Sequence, residues 1–283
     1  MVRRTVLFSP GDQPELMRKA PGSGADVIVF DLEDAVAPAK KAQGREAVRN
    51  VVTEIDPDAE LCVRVNPVGD GGERDVEAVF GDSAATAVDS VMLPKVGSAG
   101  AVEDIDDLLA EHGHEFPVLA LLETADGVLD AEAIADADPT DAVLLGAEDL
   151  AADIGASRST EGTGILHARE HVVLAASSAG VDAIDTLYTD YEDTEGLAED
   201  AKFARDLGFD GKMAIHPGQV PIINDAFTPD EEAVEWARKV LDARDEAAEN
   251  DVGVFAVEGE MIDAPLIAQA EDIVRRYDAA TGG

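Results

Sequence analysis

The feature that most constrains this chain is an alternation of eight short apolar runs with longer amphipathic stretches. The runs fall at 5–8, 27–30, 61–65, 90–93, 117–122, 142–145, 183–187 and 211–215. Most are rich in Val, Ile and Leu and lack polar alternation, as expected of strands covered on both faces. The seventh fits least well, because Asp185 lies inside it. Between the runs, helical spacing covers 40–52, 100–112 before Gly113, 164–179 before Gly180, and 194–207 before Gly208. Each of the last three ends on a glycine stop signal. Strands alternating with helices specify either a (β/α)8 barrel or a doubly wound sheet, and the count of eight favours the TIM barrel.

The tail breaks the pattern. Thr228 followed by Pro229 reads as a cap with proline at the first helical position, opening a helix to about residue 248. A break is expected at 250–253, then an apolar segment through Asp263 and a last helix to about Tyr277. The expected organisation is therefore a barrel over 1–226 followed over 227–283 by a C-terminal helical segment that is an appendage, a lid or an interface arm rather than a barrel unit.

Charge narrows the partners. The chain has 61 acidic and 21 basic residues, a formal charge of −40, which excludes the clustered Lys and Arg that nucleic acids and anionic membranes require. Hydrophobic residues make up 46% of the chain, enough for a large core. An evenly acidic, lysine-poor surface suits a protein working in concentrated salt, where self-repulsion is screened. A merely acidic mesophilic protein is the alternative. Cys62 is the lone cysteine, so neither a disulfide framework nor a thiolate zinc site is expected. No run reaches the length of a membrane span, and the first residues lack a signal-peptide core. Cytoplasmic residence is the expectation.

Barrel enzymes place their chemistry at the C-terminal ends of the strands. Those positions hold Ser9 and Asp12, Asp31, Glu33 and Asp34, Arg64 and Asn66, Lys95, Glu123, Glu148 and Asp149, Tyr188 and His216. In so acidic a chain a single carboxylate carries little weight. Arg64 and Lys95, at successive strand ends, carry more. They point to an ion-pair network or to a site for a carboxylate-bearing substrate. Glu123 and Asp149 end neighbouring strands, so two oxygen ligands would converge as Mg²⁺ requires. A hydrogen-bonded structural pair fits the same positions, and the residues alone leave both readings open. The glycine-rich loop at 69–72 lacks the P-loop lysine. Ser9 and Ser23 lack a nucleophile elbow.

Eight motifs at these positions resemble one family in order. They are RTVLFSPG at 4–11, GADVIVFDLEDAV at 24–36, VRVN at 63–66, MLPK at 92–95, LET at 122–124, LGAEDL at 145–150, GKMAIHP at 211–217 and EMIDAP at 260–265. The chain resembles the citrate lyase β-subunit-like group of the HpcH/HpaI aldolase superfamily, which includes malyl-CoA, β-methylmalyl-CoA and citramalyl-CoA lyases. The resemblance implies a (β/α)8 barrel with a C-terminal lid, assembled as trimers or hexamers. It implies Mg²⁺, with Mn²⁺ as an alternative, held by Glu123 and Asp149. It places Arg64 at the substrate's carboxylate and oxyanion end. It makes Asp263 a lid acid/base that reaches a neighbouring subunit, and sets Phe8, Arg18 and Lys19 where relatives grip coenzyme A. Relatives often carry Asp-Gly-Lys where this chain has Glu258, Gly259 and Glu260. The implied activity is a C–C lyase acting on a β-hydroxyacyl-CoA and releasing acetyl- or propionyl-CoA plus glyoxylate. A malyl-CoA thioesterase and a citrate lyase β subunit are the alternatives.

Overall fold

A computed structural model describes residues 2–81, 87–157, 162–248 and 255–281. The chain divides into two compact units, one spanning Arg3–Asn224 and the other running from Asp225 onward together with Val2.

The first unit is a closed barrel of eight parallel strands in sequence order. They are β1 Thr5–Pro10, β2 Val27–Asp31, β3 Glu60–Arg64, β4 Ser90–Leu93, β5 Val118–Leu122, β6 Thr140–Leu145, β7 Asp182–Asp185 and β8 Gly211–Ala214. Closure is made by β1, which pairs with β2 on one side and with β8 on the other. The intervening helices include α1 Pro14–Lys19, α2 Lys41–Val52, α3 Gly72–Phe80, α4 Ala99–Glu111, α5 Ala125–Leu129, α6 Ala131–Ala135, α7 Ala147–Asp153, α8 Leu166–Ala179 and α9 Thr194–Leu207, and α10 Val220–Phe227 follows β8 where one unit gives way to the next. The TIM-barrel expectation holds.

Glycine stops behave as read. Gly180 and Gly208 close α8 and α9 with φ of 76° and 104°, and each donates its N–H back into the last turn. Only a residue without a Cβ adopts that left-handed cap at no steric cost.

Period-2 alternation sorts each strand into an interior and a helix-facing set. Val6, Val27, Val29, Cys62, Met92, Leu119, Leu121, Ala142, Leu144, Ile184 and Met213 form one buried cluster that fills the interior, with Phe8 and Leu187 packed against it. The N-terminal end is plugged by ions. Arg3 donates to Glu60 at 2.7 Å and Asp182 at 3.0 Å and also binds Asp141, while Ser90 donates to Glu60 at 2.5 Å.

The weak seventh run has a physical explanation. Asp185 and Lys212 point into the layer between strands and helices, with Lys212 Nζ 2.7 Å from Asp185 and 2.6 Å from Asp200. Arg169 of α8 closes the group with a second bond to Asp185 at 2.6 Å. Buried charges of this kind survive only when paired and hydrogen-bonded.

The second unit contains α11 Glu231–Ala248, a two-stranded antiparallel hairpin of β9 Phe255–Val257 and β10 Glu260–Ile262, and α12 Ala264–Thr281. Its core gathers Ala237, Val240, Val257, Ile262 and Ala270, flanked by Trp236, Phe255 and Leu266. The cap of α11 is Asp230 rather than Thr228. The Asp230 carboxylate accepts the Ala233 N–H at 2.8 Å, so Pro229 precedes the helix instead of opening it. The expected break at 250–253 lies outside the described residues. The hairpin was not anticipated. Its two-residue turn, Glu258 and Gly259, has φ of 51° and 91°, the left-handed pair that matches strand twist in tight hairpins. No described helix is long and apolar enough to cross a membrane.

Candidate active site

The interior parity that fills the barrel also builds its mouth. Continuing each apolar series by two residues leads from Val29 to Asp31, from Cys62 to Arg64, from Leu121 to Glu123, from Leu144 to Gly146 and from Ile184 to Thr186. These residues, with Phe8, Ala147, Asp149 and Met213 among others, line a cavity of about 230 Å³ at the C-terminal rim. Chemistry therefore begins where each strand runs out of core to fill.

Arg64 is nearly buried and forms a two-bonded fork with Asp31, Nε to Oδ1 at 2.7 Å and Nη2 to Oδ2 at 2.6 Å. Its guanidinium lies 4.9 Å from the centre of the Phe8 ring, a cation–π arrangement. Burial works against its charge, but the Asp31 fork outweighs burial and raises the Arg64 pKa above its ordinary value. The fork uses Nε and Nη2, and the Arg64 side chain lines the cavity. Asp31 is itself fixed, accepting the backbone N–H of Glu33 at 2.8 Å and of Ala35 at 3.0 Å. Lys41 staples the same loop through the carbonyls of Leu32 and Glu33, both at 2.7 Å, and Asn66 at 3.0 Å.

Glu123 follows β5 and is 3% exposed. Thr124 then caps α5 by accepting the Gly127 N–H at 3.1 Å, which fixes the chain direction just past the carboxylate. Glu123 Oε1 accepts the Lys95 backbone N–H at 2.9 Å. Asp149 stands in the first turn of α7 and lines the same cavity. Burial, reinforced by the negative charge of Asp149, pushes the Glu123 carboxyl up to about 8. A buried carboxylate that feels a second, solvent-facing carboxylate lining the same cavity is a setting that a cation relieves.

The donor set fits Mg²⁺. A magnesium site takes one or two carboxylates and completes its octahedron with water and substrate oxygens. Among the described residues no group of three or more His, Cys, Asp or Glu could hold a metal, so the two carboxylates leave the remaining positions open.

The structure thus brings Phe8, Arg64, Glu123 and Asp149 into one cavity. Arg18 and Lys19 do not line it. They are exposed on α1, with Arg18 bound to Glu54 at 2.8 Å just beyond α2. Asp263 belongs to the second unit, where it is exposed and its carbonyl accepts the Ile267 N–H at the start of α12. Reading the strand ends one by one missed the Asp31 clamp and the place of Gly146. A Cβ added at Gly146 would stand 2.6 Å from the Glu123 Cβ. Interior parity would have found both.

A parallel barrel whose rim sets a forked arginine opposite a pair of metal-suited carboxylates defines a metal-dependent barrel for carboxylate-bearing substrates. The chain belongs to the HpcH/HpaI aldolase/citrate lyase family, whose profile matches residues 4–217. It is 41% identical over 281 residues to a citrate lyase subunit beta-like protein of Mycobacterium tuberculosis, covering 97% of this chain and 96% of that one. It is 35% identical to the mitochondrial citramalyl-CoA lyase of Rattus norvegicus, covering 96% and 85%. The crystal structure of the CitE protein of Mycobacterium tuberculosis with magnesium, acetoacetate and coenzyme A superposes with a TM-score of 0.80 at 40% identity, covering 98% of both chains.

Proposed function

We propose that this chain is a Mg²⁺-dependent acyl-CoA lyase that cleaves, or in reverse forms, a β-hydroxyacyl-CoA. Malyl-CoA or β-methylmalyl-CoA is the substrate proposed, giving acetyl-CoA or propionyl-CoA plus glyoxylate. The observation that carries this reading is the Asp31-clamped Arg64 sharing one small cavity with Glu123 and Asp149.

Glu123 and Asp149 would hold the ion, and Mn²⁺ fits the same oxygen donors. When bound, Mg²⁺ supplies a Lewis acid that neutralises charge on the keto-acid half. The chain's own residues do the rest. Arg64, fixed by its fork, offers its guanidinium to anionic oxygen in the cavity without reorganising, which is where a preorganised donor contributes most. Phe8 packs beneath the guanidinium and holds it level with the cavity. Cleavage breaks the bond between the hydroxyl-bearing carbon and the carbon α to the thioester. The hydroxyl proton is lost as the keto acid forms, and the α-carbon takes a proton to become the acyl-CoA.

We assign that last transfer to Asp263, delivered from the second unit of a neighbouring subunit in a homotrimer or hexamer. A positioned acid of this kind contributes about 10²–10⁴-fold, so Asp263→Asn is expected to lower turnover by about that factor while the fold stays intact. Phe8, with Arg18 and Lys19 farther along β1 and α1, is assigned to the coenzyme A side. A cytoplasmic setting belongs to the same proposal.

Incubating the protein with Mg²⁺, acetyl-CoA and either glyoxylate or pyruvate tests the reading. A lyase accumulates the hydroxyacyl-CoA, and the keto acid consumed names the substrate. Free malate and coenzyme A would instead mark a thioesterase, and absence of product with acetyl-CoA and again with propionyl-CoA would refute the proposed substrates.

A further inference from the structure

Lys95 is one of few described residues without the freedom of glycine that adopts a left-handed backbone, with φ of 54°. That conformation crowds any Cβ and costs a lysine energy that a glycine would not lose. Its location gives the strain a purpose. The Lys95 N–H points to Glu123 Oε1 at 2.9 Å. Its ammonium, on the other end of the same residue, binds Glu33 and lies 3.8 Å from Asp34. Glu33 is buried and stands 3.5 Å from Arg64 Nη2. One residue therefore touches the metal-suited carboxylate with its main chain and the arginine's surroundings with its side chain.

We propose that Lys95 is a positioning residue that sets the separation between the two halves of the site, its left-handed amide aiming Glu123 and its ammonium holding Glu33 against Arg64. This inference rests on the Mg²⁺-dependent reading above. The two contacts are separable by substitution. Lys95→Gly removes the ammonium and keeps the left-handed turn at no steric cost. Lys95→Val also removes the ammonium, but a β-branched residue resists the turn. Lys95→Arg keeps a cation.

The test is calorimetric titration of the full, metal-free chain with Mg²⁺, then of the Mg²⁺-loaded chain with glyoxylate and with pyruvate. Circular dichroism confirms that each variant is folded. Lys95→Gly is expected to bind Mg²⁺ within about twofold of wild type, because the amide to Glu123 survives. Lys95→Val is expected to bind it about tenfold more weakly. Both are expected to bind the keto acid about tenfold more weakly, as befits loss of a charged hydrogen bond, and Lys95→Arg is expected to restore it. Equal Mg²⁺ affinity in the Gly and Val variants would overturn the main-chain role. Unchanged keto-acid affinity in Lys95→Gly, or failure of Lys95→Arg to restore it, would overturn the side-chain role. If the wild-type chain itself bound no Mg²⁺, the functional reading would fall and this proposal with it. That failure is distinguishable because it precedes any substitution.

Discussion

Arg64 and Asp31 face each other across adjacent strands β3 and β2, opposite one another in the register, and their side chains lock in a fork of 2.7 and 2.6 Å. All of the acceptor capacity drawn on at Asp31 is needed, since its two oxygens also receive the N–H groups of Glu33 and Ala35. Asp31→Asn would turn an amide NH₂ toward those donors. Breaking a buried pair from one side costs about 3–5 kcal/mol. We expect a lower thermal midpoint and a loss of kcat/KM of about 10²-fold or more. Steady-state kinetics beside a thermal melt checks both. A variant with wild-type values in each would show that Arg64 holds its aim without the clamp.

Glu123 yields a pH prediction with a definite sign. Its carboxyl is raised to about 8 by burial and by Asp149, so in the metal-free protein it carries a proton at pH 7. Mg²⁺ must displace that proton. Affinity should therefore climb about tenfold per pH unit up to pH 8 and level off above it. The linked stability runs the other way. Between the ordinary carboxylate range and pH 8 the folded state holds more protons than the unfolded one, so the metal-free protein loses stability as pH rises through that window. Titrations at pH 6 to 9, in buffers of different ionisation enthalpy, count the proton directly. A pH-independent affinity with no proton released would show that Glu123 is already ionised in the metal-free protein.

Gly146 makes room for that same carboxylate. Its φ of −91° is open to any residue, so the backbone does not demand glycine there. The side chain does: an added Cβ would meet Glu123 Oε2 at 2.7 Å as well as its Cβ at 2.6 Å. Gly146→Ala should push Glu123 aside and weaken Mg²⁺ binding about tenfold to a hundredfold, the range for disturbing groups that orient a metal ligand. The expected loss of fold stability is only about 1–3 kcal/mol, as for an overpacked site. Mg²⁺ titration against the melting curve separates the two. Unaltered affinity would mean that Glu123 does not need this space.

The barrel was legible because buried parallel strands advertise themselves as unbroken apolar runs and glycine stops end helices at predictable places. Asp185 blurred the seventh run for a reason no local window contains: its partners, Arg169 and Lys212, lie 16 and 27 residues away. The site was half legible. Arg64 stood out because cations are scarce, and Glu123 and Asp149 because they end neighbouring strands. The Asp31 fork, the left-handed Lys95 and the space beside Gly146 were not visible as local patterns. Each is a relation across strands, set by register and parity rather than by any neighbour in sequence. The hairpin at Glu258 and Gly259 was hidden by a non-glycine at a left-handed position.

The charge of −40 acquires a sharper meaning from where the cations sit. Arg3, Arg64, Arg169 and Lys212 are buried, each bound to carboxylates inside the barrel unit. The scarce positive charge is thus partly committed to the interior, and what remains outside is mostly acid. At low ionic strength, surface repulsion opposes the compact state, and an anionic CoA thioester meets a repelling field. The Debye length falls from about 10 Å at 0.1 M to about 3 Å at 1 M, whereas buried pairs such as Arg64 and Asp31 are screened far less. Raising KCl from about 0.1 to above 1 M should therefore raise the unfolding midpoint and lower KM for the acyl-CoA, with kcat changing little. Melts and initial rates across a KCl series measure all three quantities. A chain fully folded and fully active at the low-salt end, with no gain as salt rises, would rule out adaptation to concentrated salt.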